Sequence, residues 1–225
     1  PTEAEGAARH RWAPISIPAH GSLRLASDGF GASVTGRAYF DSNCSAHPLH
    51  RLGIRDWRWG RLSFPQRELI YYYVWPEDPT DASIELICQV GQDGLVDHTE
   101  GASFSVVRSR RALFGLDYAG ELRLQGDGLD VEVQHRHLVD DGPFYLRRIV
   151  HARDHLTGES ATGMVERVVP DRVDLKWQRF FVQMRRHRAV GDNSIWLPLF
   201  NGPRGGRWSR LVRNWAAPPP TELRA

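Results

Sequence analysis

An all-β antiparallel barrel with a short C-terminal helix is the fold that the sequence predicts, on three observations. Short β-branched or aromatic runs recur from Leu23 onward, Gly, Asp and Pro separate them at close intervals, and hardly a helical stretch intervenes before the tail. A closed barrel accommodates so many strands more economically than an open sandwich because it leaves no edge exposed. It also encloses a cavity when its inner face is not fully packed.

The elements follow in order. Residues 1–21, rich in Pro, Ala and Gly, read as a lead-in segment carrying His10 and Trp12, with one short extended piece near Trp12. The barrel domain is expected over 22–200. Its first strands fall at 22–26, around Leu23 and Leu25, and at 33–40, ending in Tyr39 and Phe40. Strands at 57–64 and 69–75 carry the densest aromatic runs, Trp57-Arg58-Trp59 and Tyr71-Tyr72-Tyr73-Val74-Trp75. A strand at 84–90 precedes the Asp93-Gly94 turn, and strands at 103–107 and 120–124 lead to the Gly126-Asp127-Gly128 turn. Strands at 129–139, 145–152, 161–169 and 177–184 complete the set. The tail, 201–225, differs: Trp208, Leu211, Val212 and Trp215 share one helical face with Arg between them, and Pro218-Pro219-Pro220 ends the run. Such a helix caps a barrel or rests on a membrane surface, where Trp and Arg suit the interface.

Composition narrows the function. With 41% hydrophobic and 25% charged residues the 225-residue chain reads as a folded soluble protein, and no run approaches the ~18 apolar residues of a membrane helix. No signal peptide stands at the start, and Pro1 in place of Met suggests a processed or fragmentary chain. The expected location is the cytoplasm or the periphery of the cytoplasmic membrane. All but Lys176 of the 29 basic residues are arginine, yet the net charge is only +2 and no basic block appears, so nucleic acid is not an expected partner. Cys44 and Cys88 are too few and too far apart for a disulfide scaffold or a zinc motif and read as free thiols.

Several stretches could carry chemistry. In a strand, Tyr39 and Asp41 point the same way while Ala38 and Phe40 point the other. A carboxylate beside an aromatic is a candidate for a raised pKa if that face lines an apolar cavity; alternatively, Asp41-Ser42-Asn43 forms a turn closing the strand. His10 and Trp12 share a face if their segment is extended. Tyr71, Tyr73 and Trp75 line one face of their strand and Tyr72 and Val74 the other, as core filler or as the wall of a long apolar pocket. His135 and His137 have a metal-ligand spacing, but no third ligand stands at a convincing distance, and no metal site is assigned. No Gly-rich phosphate loop, nucleophile elbow or Cys-x-x-Cys is present.

Four stretches together carry a family resemblance. They are Gly36-Arg37-Ala38-Tyr39-Phe40-Asp41-Ser42-Asn43 with His47-Pro48-Leu49; Trp57-Arg58-Trp59-Gly60-Arg61; Asp140-Asp141-Gly142-Pro143-Phe144-Tyr145-Leu146-Arg147; and Gly163-Met164-Val165-Glu166 with Arg172, Trp177, Met184 and Arg188. In this order, from about His10 to Arg188, the chain resembles the C-terminal part of the carotenoid 1,2-hydratases, the hydroxyneurosporene synthases. These belong to a lipocalin-like group that also holds natural-product cyclases and Diels–Alderases. The resemblance implies a lipocalin-like barrel and water addition to the terminal C1–C2 double bond of an acyclic carotenoid or related isoprenoid. Acid protonation to a tertiary carbocation, without a cofactor, is the implied route.

It further implies catalytic roles for Asp41 as the acid, Tyr39 beside it, and His10 and Trp12. The π faces of Trp12 and Tyr39 are expected to stabilise the cation, and His10 to orient Asp41 or return its proton. Substrate contacts are expected from Trp57, Trp59, Tyr71, Tyr73, Phe144 and Tyr145. An additional N-terminal β domain, peripheral membrane contact and a hydrophobic polyene substrate are the implied partners. Phe40, where His is frequent, and Cys44-Ser45-Ala46, where Gly is usual, bear on which substrate is taken. Two alternatives stay open: a terpenoid cyclase or Diels–Alderase-type catalyst of the same fold, and a non-catalytic binder of apolar ligands.

Overall fold

Pro14 and Pro18 shape the first element of the protein. In a computed structural model, which describes residues 10–27, 30–99, 101–173, 175–177 and 179–180, β1 (His10–Ser27) and β2 (Phe30–Ser45) pair as a two-stranded antiparallel hairpin. Proline has no N–H for the ladder, and the pairing slips twice around these prolines, between Pro14 and Ser16 and between Ser16 and Ala19. Such bulges bend a ribbon and re-aim its side chains. On one side of them His10, Trp12, Tyr39 and Asp41 are half-buried; on the other, residues 20–26 and 33–37 are exposed. From His10 on, the expected lead-in is the first part of β1, so a boundary at 21/22 falls inside a strand.

The remaining strands are β3 (Ile54–Ser63), β4 (Arg67–Pro76), β5 (Ile84–Gly91), β6 (Val96–His98), β7 (Ser103–Arg111), β8 (Asp117–Gly126), β9 (Leu129–Asp141), β10 (Tyr145–Asp154) and β11 (Ser160–Val168). They form one antiparallel sheet in the order β6-β5-β4-β3-β11-β10-β9-β8-β7. The barrel is realised as a curled half-barrel, with β6 and β7 as its edges. Edges invite pairing with other chains. Here one is three residues long, and the other carries the exposed Arg108, Arg110 and Arg111.

The curl is tight enough that Phe104 on β7 touches Tyr71, Tyr73 and Trp75 on β4. Around these rings the inner face packs Leu62, Phe64, Leu69, Leu122, Leu124, Val131, Val150 and Val165 into the main core. Gly60 is required there: a Cβ at this position would lie 2.2 Å from Tyr71 Cε1. The outer face of β3, β4 and β5 carries a second apolar cluster, Trp59, Ile70, Tyr72, Val74 and Cys88, and the hairpin covers it with Trp12, Ile17 and Tyr39. Both faces of β4 are therefore buried, from Glu68 to Val74.

Two expectations change. Residues 177–184 were expected as a strand, but the described ones are helical at 176–177 and 179–180, where the Arg179 N–H donates to the Leu175 carbonyl at 3.1 Å. The Val96–His98 strand is too short to leave a periodic signal. The chain divides into two compact units, one to Asp171 and one from Arg172. The expected tail helix lies outside the described residues. No helix among the described residues is long and apolar enough to cross a membrane.

Candidate active site

The bent hairpin delivers four side chains to one place. Register sets Trp12 opposite Asn43 and Pro14 opposite Asp41, so alternation puts Trp12, Tyr39 and Asp41 on the face turned toward the sheet. Asp41 lies within β2, which runs on to Ser45, and not in a closing turn. Its Oδ2 accepts two hydrogen bonds, from Trp12 Nε1 at 2.7 Å and from the Tyr39 hydroxyl at 3.1 Å. Among the described residues Oδ1 has no hydrogen-bond partner, and no cationic side chain lies within ion-pair distance of the carboxyl.

Aromatic rings of the sheet form the floor. Trp12 stacks on Tyr72, with centroids 4.9 Å apart and planes 13° from parallel, a pairing worth about 0.5–1.5 kcal/mol beyond area burial. Tyr39 packs against Trp59 at 5.4 Å, and His10 against Trp57 at 4.5 Å. Burial and the neighbouring Asp41 push the Tyr39 and Tyr72 hydroxyls well above the ordinary phenol range. Tyr39 therefore stays a hydrogen-bond donor. Burial holds the His10 imidazole below its usual pKa, opposed by its hydrogen bond with Asn43. His10 Nε2 and the indole nitrogens of Trp57 and Trp59 are buried without partners among the described residues.

An ion-pair cluster fastens this arrangement. Arg37, two residues before Tyr39, donates to the Phe64 carbonyl and to the Pro65 carbonyl at 2.8 Å. Glu68, almost wholly buried, holds Arg61 through two hydrogen bonds of 3.0 Å and takes a third from Ser63 at 2.7 Å, with Arg37 at 3.7 Å. The Arg61 guanidinium lies 5.2 Å from the Tyr39 ring centre. A cation already occupies that π face, so Tyr39 suits Asp41 as a donor better than it suits a carbocation as a cushion.

The structure thus gathers Asp41, Tyr39, His10, Trp12, Trp57 and Trp59. His10 stands four strand positions from Pro14, the partner of Asp41. That is about 13 Å along the strand, so Trp12 and Tyr39, not His10, orient the carboxyl. Tyr71 and Tyr73 lie apart, buried on the inner face with the sheet between them and Asp41. Tyr145 shares the Trp57 face by register but stands two strands away, where its hydroxyl meets Arg147 at 2.8 Å. Phe144 is half-buried just before β10, its carbonyl taking the Val169 N–H at 2.8 Å. Sequence reasoning missed Tyr72, Arg61 and Glu68. A two-residue step was the available signal for Arg61, from Trp59, and for Tyr72, which faces opposite to Tyr71 and Tyr73. Cys88 is buried, its thiol pushed up to about 11, and Cys44 is exposed; both are free. The described residues contain no cluster of three metal-ligating side chains.

Comparisons with known proteins bear on the family and the fold. Residues 2–194 match the family described as carotenoid hydratase CrtC. A protein of Chlorobaculum tepidum named hydroxyneurosporene dehydrogenase is 32% identical over 208 residues, covering 86% of this chain and 53% of that protein. An AttH-type protein of Nitrosomonas europaea shares the fold at TM-score 0.53 and 17% identity, over 71% of this chain and 51% of its own. Kievitone hydratase of Nectria haematococca does so at 0.51 and 14%, over 66% and 49%. These two likenesses concern the fold alone. The chain spans about half the length of the relatives it matches.

Proposed function

The chain belongs to the carotenoid hydratase CrtC family, and on that premise we propose that it adds water across a carbon–carbon double bond of an acyclic carotenoid or related isoprenoid. One observation carries the reading: a carboxyl fixed through one oxygen by two neutral donors and set among aromatic rings, with its other oxygen free and no cation beside it among the described residues. That is what an acid facing a hydrocarbon requires.

Asp41 gives the proton on Oδ1 to the less substituted alkene carbon. The π pair becomes the new C–H bond and leaves a tertiary cation. Water then forms the C–O bond, and the proton it sheds returns to the Asp41 carboxylate, directly or through a second water. The carboxyl is thereby restored for the next turnover. Hydration leaves the substrate's oxidation level unchanged, so no redox partner enters the balance.

Energetics assign the rings a supporting role. Cation–π contact supplies about 0.5–2 kcal/mol per desolvated ring, against the ~8 kcal/mol or more that enzymes remove from a barrier. The larger share falls to preorganisation: the developing carboxylate keeps two hydrogen bonds already aimed at Oδ2. Trp12 and Trp57, both half-buried, are the rings open to the substrate in this reading, Trp59 being buried beneath Tyr39 and Tyr39 covered by Arg61. So apolar a substrate reaches the site from a bilayer, and peripheral membrane contact is part of the proposal.

Incubation of the protein with lycopene or neurosporene, followed by mass analysis, tests it. The expected product is heavier by one water. The name of the Chlorobaculum tepidum relative raises a second reading, hydrogen removal, which yields a product lighter by two hydrogens. A product of equal mass points to cyclisation, and unchanged bound polyene points to a carrier.

A further inference from the structure

Arg148 on β10 is a buried cation without an anion among the described residues. Its side chain enters the inner face of the curled sheet, where the residue is only 4% exposed. One guanidinium nitrogen donates to the Ala119 carbonyl, and the plane lies 5.1 Å from the Tyr118 ring centre. Nε is buried with no partner, and no carboxylate forms an ion pair with the group among the described residues. Burial disfavours its ionised form; the Tyr71 and Tyr118 phenols oppose that effect and the nearby Arg58 and Arg167 add to it.

Those two arginines share one acid. Asp56 takes Arg58 at 3.0 and 3.2 Å and Arg167 at 2.9 Å, which leaves it nothing for Arg148. Glu166 borders the same space, but its carboxylate is held by Arg147 at 2.8 Å. A small cavity lies where these groups converge, lined by Arg58, Arg148, Arg167, Tyr71, Tyr118 and Phe104. Its volume is about 10 Å³, enough for one water-sized particle. A carboxylate carrying an apolar tail does not fit.

Burying a charge without a counter-charge is among the least tolerated arrangements in a protein interior. The geometry points to a monovalent inorganic anion of halide size bound inside the curled sheet against Arg148. The guanidinium and the phenol of Tyr71 supply donors, and Arg58 and Arg167 contribute an attractive field that Asp56 only partly cancels. The anion neutralises a core cation. It sits on the opposite face from Asp41, so this inference does not depend on the proposed reaction.

Thermal unfolding of the full chain in chloride, bromide and gluconate at equal ionic strength tests it. Ligands that bind the folded state raise the midpoint by mass action. Chloride and bromide are expected to raise it above the gluconate value, and Arg148→Met is expected to lose that difference. Equal midpoints in the three salts, or an advantage that survives in Arg148→Met, overturn the proposal. Should Arg148→Met fail to fold, crystals of the unaltered protein grown in bromide decide. An anomalous peak in contact with the Arg148 guanidinium supports the site; a water or no peak there overturns it.

Discussion

Trp12 Nε1 donates to Asp41 Oδ2 at 2.7 Å, across 29 positions of sequence and from one strand of the hairpin to the other. This bond and the stack of the same indole on Tyr72 tie the candidate acid to the sheet below. The two roles of Trp12 can be separated. Trp12→Phe keeps an aromatic face on Tyr72 and removes the donor. Hydrogen bonds to charged groups are worth about 1.5–3 kcal/mol, so kcat is expected to fall roughly 10- to 100-fold with little change in KM. Steady-state kinetics on a polyene substrate checks this.

Tyr73 offers the opposite case. Its hydroxyl is buried on the inner face with no partner among the described residues. Replacing an unsatisfied buried group by an apolar one of the same shape is close to neutral or stabilising. Tyr73→Phe is therefore expected to unfold at the same or higher denaturant concentration and to turn over substrate at the normal rate. A large loss of activity would place the substrate on the inner face.

Glu68 anchors the hairpin through Arg61 and Arg37. Glu68→Gln removes the shared charge and leaves Arg61 poorly compensated in a largely buried position. Breaking such a pair costs about 3 kcal/mol or more, to be read from denaturant unfolding. Amide exchange in β2 is expected to accelerate more than exchange in β10, because Arg37 and Arg61 are the ties next to Tyr39.

Two histidines make stability acid-sensitive. Burial lowers His10, and burial with the nearby Arg148, Arg110 and His137 lowers His135 to about 4. Below the ordinary value of 6.5 the unfolded chain takes up protons that the folded chain refuses, so stability is full above that pH and declines as the pH falls toward about 4. Thermal midpoints across that window are expected to drop. His135→Gln is expected to flatten part of the decline.

The strands were legible wherever β-branched or aromatic runs met Gly and Asp turns, as at Tyr71–Trp75 and at Val131–Val133. Pro14 and Pro18 hid the start of β1, because proline usually ends a strand and here produces bulges within one. The candidate site was legible in Asp41, Tyr39, His10 and Trp12 through the family resemblance; each pair stands two apart in sequence, but that spacing alone left a closing turn and plain packing open. It was not legible which face of β4 they meet. Residues 68–74 are buried on both sides, so no alternation of exposure distinguished the two faces, and the choice of Tyr71 and Tyr73 over Tyr72 rested on no such signal. Local alternation also could not reveal that a separate hairpin, and not the barrel interior, carries the acid.

Turnover by Asp41→Asn measures the central claim most directly, since the amide keeps the shape and can still accept from Trp12 and Tyr39 but has no acidic proton to give. With folding verified by circular dichroism and polyene binding by absorbance shift, the variant is expected to bind substrate and form no water adduct. Hydration at a rate near that of the unaltered protein would contradict the assignment of Asp41 as the acid.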